Sequence, residues 1–316
     1  MRILFMGSPQ LAIPSFHAAR DIGQIVGVVT QPPKASGRGR KLTASPISRE
    51  VRQCGIEAMT PGSLRTPEIE ETLGRLKPDI AVVVAYGKIL PPNILTLPGL
   101  GCVNIHASIL PELRGAGPIQ WAIARGFEET GVTLMQMDKG MDTGPILLQK
   151  TTPIGTEETA GELGTRLAQI GAQLLREGLP RLFRGELPPT PQDDSQATYA
   201  PLLTKADGLI DWSFTARDIA NRVRGFSPWP GTFTTWSGSR LLITRARALE
   251  EHNQAASGTI VATGTDGIQV ACGSGTLDVL AVKPEGKREM EIREFLSGHK
   301  IEVGEILGEG ESGNRE

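Results

Sequence analysis

The stretch GCVNIHASILPELRGAGPIQ, residues 101–120, sets an amide and an imidazole two residues apart in an apolar run, before a proline and a glycine-rich turn. In a strand, residues two apart face the same side, so Asn104 and His106 project together while Val103 and Ile105 point to the other face. An amide N–H can donate to an oxygen that gains negative charge, and an imidazole can exchange a proton near neutral pH. Two polar residues satisfied at a strand end would give the same pattern.

MDKGMDTGPILLQ, residues 137–149, places Asp142 in a glycine-containing turn between two expected strands. A carboxylate there could hydrogen-bond an imidazole, fixing its tautomer and raising its basicity. An Asx turn accounts for an isolated Asp-Thr-Gly equally well, and nothing local decides between them. In TQPPKASGRGRKLTASP, residues 30–46, Lys34, Arg38, Arg40 and Lys41 share one loop, with no acidic residue until Glu50. Arginine grips phosphate with a fork and lysine as a point charge, so the loop suits a nucleic-acid backbone; a solvated loop is the plain alternative.

Those groups need a scaffold. Residues 2–6, 25–30, 79–85 and 102–106 are short apolar runs alternating with segments of helical period, the signature of an open α/β domain with a parallel sheet. In such sheets ligands bind beyond the carboxyl ends of the strands, where the SILP turn places the Asn104–His106 pair. GSPQLA after the first run lacks the dinucleotide fingerprint, and Ser8 is expected to cap a helix that begins at Pro9. A helix over residues 157–183, with Leu163, Leu167, Ile170 and Leu174 on one face, closes the first domain. RGELPPTPQDDSQATYAPLL reads as a linker, and the short glycine-punctuated strands beyond Asp207 suggest a small β-barrel. The expected division is therefore 1–188, a linker at 189–206, and 207–312.

Composition narrows the classes. With 316 residues, 39% hydrophobic and 22% charged, the chain is an ordinary globular protein of two domains. A net charge of −2 excludes a surface coated for indiscriminate polyanion binding, so any nucleic-acid contact must be local. No apolar run approaches a membrane span and no cleavable signal follows Met1, which predicts a cytoplasmic protein. Cys54, Cys102 and Cys272 have neither disulfide nor zinc spacing and are expected as buried thiols.

Taken together, NIHASILPELRGAGPIQWAI, MQMDKGMDTGPIL, VVVAYGKILP, the SGRGRKL loop, IDW at 210–212 and FSPWPGTFT resemble the methionyl-tRNA formyltransferase family, over essentially the whole chain. Asn104, His106 and Asp142 in that order are shared by the wider formyltetrahydrofolate-dependent superfamily, and the basic loop and second domain narrow the match. Two positions depart from the family pattern. The loop more often begins Pro-Asp-Arg-Pro-Ala-Gly, where this chain has Pro32-Pro33-Lys34-Ala35-Ser36-Gly37, and Ile109 replaces a leucine after Ser108.

The resemblance implies a Rossmann-like catalytic domain followed by a barrel like an oligonucleotide/oligosaccharide-binding (OB) fold. It implies formyl transfer from 10-formyltetrahydrofolate to the amine of initiator methionyl-tRNA, without a metal. Asn104, His106 and Asp142 would be catalytic. Folate would lie along Ser108, Ile109, Leu110 and Pro111, with Tyr86, Gly87, Ile89 and Leu90 beside the pterin. Arg38, Arg40, Lys41 and Lys205 would meet tRNA; Trp212 and Trp229 are read as core or interdomain packing residues in preference to base-stacking ones. With no apolar stripe left for self-association, a monomer is expected. The rivals are a formyltransferase acting on a sugar nucleotide or glycinamide ribonucleotide, and a nucleic-acid-binding protein on a silent scaffold of the same fold.

Overall fold

The computed structural model describes residues 1–36, 41–251, 254–264 and 267–308. It divides into two compact units, one of residues 1–118, 129–153 and 164–201, the other of 119–128, 154–163 and 202–316. The segment expected as a linker is thus incorporated in the first unit through Pro201.

The chain runs β1 (Arg2–Gly7), α1 (Ile13–Ile22), β2 (Gln24–Val29), the short pair β3 (Lys34–Ser36) and β4 (Lys41–Thr43), α2 (Pro46–Gln53), α3 (Pro67–Arg75), β5 (Ile80–Val84), α4 (Pro92–Leu95), β6 (Cys102–His106), α5 (Pro118–Ala124), β7 (Glu129–Gln136), β8 (Ile146–Pro153) and α6 (Ala160–Phe183). The first unit's sheet has the order β2-β1-β5-β6-β7-β8. β2, β1, β5 and β6 are parallel, while β7 and β8 form an antiparallel hairpin on one side. After β2 the chain returns to the opposite flank of β1, so the carboxyl ends of β1 and β5 form a topological switch point.

Every residue of β5 is buried, as a strand covered on both faces requires, and Leu4, Met6, Ala81, Val83, Leu90 and Ile94 belong to one core cluster. Leu163, Leu167 and Leu174 of α6 are buried as expected. Glycine lets this helix lie close to the sheet: a Cβ on Gly171 would stand 2.8 Å from Ile105 Cγ2, and one on Gly178 would stand 2.5 Å from Leu134 Cδ2. Ile105 thus turns toward α6, which leaves the opposite face of β6 to Asn104 and His106. Ser8 differs from expectation. Regular helix begins at Ile13, and the Ser8 hydroxyl instead donates to the Tyr86 carbonyl at 3.3 Å and accepts from Gln31 N at 3.2 Å, tying β1, β2 and β5 together at the switch point.

The second unit continues with α7 (Ala216–Gly225), β9 (Thr232–Trp236), β10 (Ser239–Leu249), β11 (Ile260–Thr263), β12 (Ile268–Ala271), β13 (Thr276–Pro284), β14 (Met290–Glu291) and α8 (Ile292–Gly298). Its sheet is antiparallel, in the order β11-β12-β13-β10-β9 with β14 on β13. This is the β-rich second domain that the glycine-punctuated strands predict. α7 starts with a cap at Thr215, which accepts from Asp218 N, and buries Ile219 and Val223 in the cluster that holds Trp212, Val270, Val279 and Phe295. Trp212 is internal as expected; Trp229 is 46% exposed and so is not a core residue.

Candidate active site

Asn104, His106 and Asp142 converge. β6 presents the first two on one face, and the β7–β8 loop returns the third, 38 residues from Asn104 in the chain, with its Oδ1 at 3.5 Å from Asn104 Nδ2. Asp142 Oδ2 lies 3.6 Å from His106 Nδ1, too long for a direct hydrogen bond and an ion pair only when the ring is protonated. The same oxygen accepts from Gly115 N at 2.9 Å. His106 is 5% exposed, and its Nε2 stands 3.0 Å from the Leu113 carbonyl. A carbonyl only accepts, so Nε2 carries a proton and Nδ1 is the nitrogen free to exchange one. The tautomer is therefore fixed by Leu113, not by Asp142 as the sequence reading has it.

Two residues of this arrangement hold backbone angles that L side chains rarely adopt: Leu113 at φ +57° and Asp142 at φ +56°. Their neighbours hold them there. Leu113 N donates to Thr198 Oγ1 at 2.8 Å, and Gln192 Nε2 donates to the carbonyls of Asp142 and Gly144 at 2.8 and 2.7 Å. Gly144 admits no side chain, since a Cβ would fall 1.9 Å from the Gln136 carbonyl oxygen. None of these supports was visible in the sequence. Gln192 is 50 residues from Asp142 within a polar Pro-rich segment, and no local pattern marks it.

The other expected site residues are distributed as follows. Ser108 is fully buried, its hydroxyl donating to the Glu112 carbonyl at 2.6 Å, and Leu110 is 2% exposed just before a cis bond to Pro111. Leu110 N donates to Thr133 Oγ1 at 3.1 Å, so this turn is anchored to β7. Ile109 is half-buried, and its side chain meets Gly131. Tyr86 and Leu90 are buried, with the Tyr86 phenol pushed up to about 12 by burial, whereas Ile89 is 78% exposed. Gly87 takes φ +77°, and a Cβ there would meet Gln31 Nε2 at 2.6 Å. Met141, beside Asp142, is 61% exposed. A cleft of about 850 Å³ follows residues 136–140 of the same loop and is also lined by Leu95, Leu100 and Leu182; it does not include Asn104, His106 or Asp142. Lys205 is exposed, Lys41 belongs to β4, and Arg38 and Arg40 lie outside the described residues. Among the described residues, no three His, Cys, Asp or Glu side chains group to hold a metal ion, and no helix is long and apolar enough to cross a membrane.

Residues 1–179 match the formyl transferase family and residues 202–300 the formyl transferase C-terminal domain. The chain is 48% identical over 303 residues to the methionyl-tRNA formyltransferase of Myxococcus xanthus, covering 96% of each chain. It is 45% identical over 311 residues to that of Acetivibrio thermocellus, covering 98% of this chain and all of the relative. Among solved structures, an N-formyltransferase from Helicobacter canadensis in complex with folinic acid and dTDP-3-aminofucose shares the fold, with a TM-score of 0.64 at 17% identity over 88% of this chain and 98% of the other. With the family's catalytic and C-terminal domains both matched and near half of its residues shared across the full length, this chain belongs to the formyltransferase family.

Proposed function

We propose that the chain transfers the formyl group of 10-formyltetrahydrofolate to the free amine of initiator methionyl-tRNA, with Asn104, His106 and Asp142 as the reacting groups. The observation that carries this is the convergence of those three side chains, 38 residues apart at the extremes, in a chain 48% identical to a methionyl-tRNA formyltransferase. The folate supplies an electrophilic formyl carbon. The site fits it: Asn104 Nδ2 has only a long 3.5 Å contact to Asp142 and can donate to a carbonyl oxygen, and the exposed Ile89 and Met141 offer apolar surface to an aromatic ring.

When a neutral amine attacks the formyl carbon, negative charge gathers on the oxygen and positive charge on nitrogen. Asn104 Nδ2–H stabilises the first. His106 Nδ1 takes the amine proton, because Nε2 is committed to the Leu113 carbonyl, and the proton passes to N10 of the folate as the C–N10 bond breaks and tetrahydrofolate leaves. Asp142 then faces the charged ring from 3.6 Å while Gly115 N–H keeps its carboxylate in place. The loop bearing Lys34, Arg38, Arg40 and Lys41, with Lys205, supplies the cations for tRNA phosphates.

Formyltetrahydrofolate supplied with charged initiator tRNA, charged elongator tRNA and a UDP-amino sugar tests the reading. Only the initiator should be formylated, and Asn104→Ala should lower the single-turnover rate on the order of 10² to 10³ while tRNA binding persists. Formylation of the amino sugar alone would assign the chain to the rival chemistry, and a near-normal Asn104→Ala rate would remove that residue from the reaction.

A further inference from the structure

The segment between α6 and α7 has the composition of a linker, yet its first half is built into the active site. Gln192 Oε1 accepts from Arg114 Nε at 3.0 Å and from Arg114 Nη2 at 2.8 Å. Arginine only donates, so the amide orientation is determined: Nε2 must face the Asp142 and Gly144 carbonyls, and its two protons serve one each. Arg114 is 2% exposed, and its Nη2 also pairs with Asp194 Oδ1 at 2.7 Å. Its own backbone lies against the same segment: Arg114 N donates to the Thr198 carbonyl at 2.9 Å and Ala200 N to the Arg114 carbonyl at 2.7 Å. Its neighbours in sequence touch both members of the acid–base pair, Leu113 through His106 Nε2 and Gly115 through Asp142 Oδ2.

The geometry points to Gln192 and Arg114 as positioning residues for the reaction, a brace that holds Asp142 in its left-handed conformation opposite His106. A buried guanidinium with an exposed carboxylate partner is a poor stabiliser in itself, because removing the cation from water offsets most of the attraction. As a brace it has a purpose: a rigid planar fork fixes the amide, and the amide fixes the carbonyls of Asp142 and Gly144, which lie outside any strand or helix. Without the amide protons, the two carbonyls lose their donors and Asp142 relaxes toward ordinary backbone angles, carrying its carboxylate away from Nδ1.

This rests on Asp142 and His106 being the acid–base pair, and the test separates the two claims. Gln192→Glu keeps the shape and the contact to Arg114 but has no protons for the carbonyls. Expected is a folded protein with kcat lower by about 10- to 100-fold, the loss associated with misplacing a reacting group by an ångström or less. KM for both formyltetrahydrofolate and tRNA should stay within about 3-fold of wild type, a split that a general loss of structure would not give. A folded Gln192→Glu with kcat near wild type, or a defect confined to KM, overturns the brace. Should Gln192→Glu not fold, Asp194→Asn decides, since that side chain is 82% exposed and its loss leaves the core intact. There kcat should fall about 3- to 10-fold, the coupling typical within one hydrogen-bond network, and an unchanged kcat rejects the proposal. Asp142→Ala in the same assay is the control. Full turnover in that variant would defeat the catalytic assignment itself, whereas loss there with none at position 192 would defeat the brace alone.

Discussion

At the scale of single residues, the site depends on backbone atoms that a side-chain reading does not supply. Asn104 and His106 were legible because a strand's two-residue period puts them on one face whatever surrounds it. Asp142 was legible only through the family pattern, since an Asx turn explains Asp-Thr-Gly locally. Gly115 could not be read at all: its contribution is an N–H to Asp142 Oδ2 at 2.9 Å, and any residue has an N–H. What makes glycine necessary there is φ +116° together with the Ala200 carbonyl oxygen, which a Cβ would meet at 2.7 Å. Gly115→Ala should therefore push the 113–115 segment off residues 198–200, lower stability by about 1–3 kcal/mol, and depress kcat more than either KM. Thermal unfolding with steady-state kinetics checks it; wild-type kcat in this variant would show that the Gly115 N–H does not hold the carboxylate during turnover.

At the scale of elements, apolar period identifies β1, β2, β5, β6, most of α6 and β9–β13, but not the two-residue β14. Nor does it identify the short pair β3–β4, because three-residue strands inside a cationic glycine loop carry no alternation; tertiary anchors define it instead. Thr30 Oγ1 and Ser45 Oγ lie 2.7 Å apart at the two ends of the loop, and Ser45 caps α2 by accepting from Ser48 N. Arg38 and Arg40, which lie outside the described residues, carry the proposed tRNA contact. Substituting both with alanine should raise KM for tRNA and reduce the slope of log affinity against log salt by about 1 per lost phosphate contact. An unaltered slope would place the loop outside the interface. A second element has a pH signature. Asp207 accepts from Thr204 Oγ1 and Thr204 N, which holds its carboxyl below the usual carboxylate range, the side-chain bond contributing most. The folded value lies below the unfolded one, so the stabilisation is complete above about pH 4, the ordinary aspartate value, and is lost as pH falls through the folded value. Asp207→Asn should lower the melting temperature at pH 7, with the difference from wild type closing as pH drops below about 4. A difference that persists in strong acid would mean that the bond is not the source.

At the scale of the whole molecule, the two-domain organisation was legible from the change of period near residue 207, but the exact division was not. The second unit takes in residues 119–128 and 154–163, which leave the first unit and return to it, and contact across more than 50 residues leaves no local trace. Each unit nonetheless has a core with a thiol inside it. Cys102 is 1% exposed in the first unit's cluster and Cys272 is 7% exposed in the second's, as expected of buried thiols, while Cys54, at the end of α2, departs from that expectation: it is only partly buried, with Arg20 Nη1 2.9 Å from its sulfur. Burial pushes the Cys102 thiol up to about 12 and the Cys272 thiol up to about 11. At pH 8 only ~10⁻⁴ and ~10⁻³ of these groups would be thiolate, the reactive form, even before access is considered. In the native protein a thiol reagent should therefore modify Cys54 and leave the other two, and rising denaturant should expose Cys102 when the first core opens and Cys272 when the second does. Mass spectrometry of proteolytic fragments assigns each label to its cysteine. Rapid labelling of Cys102 without denaturant would mean that the strand carrying Asn104 and His106 opens readily, and a site whose geometry depends on that strand's two faces could not be held as described.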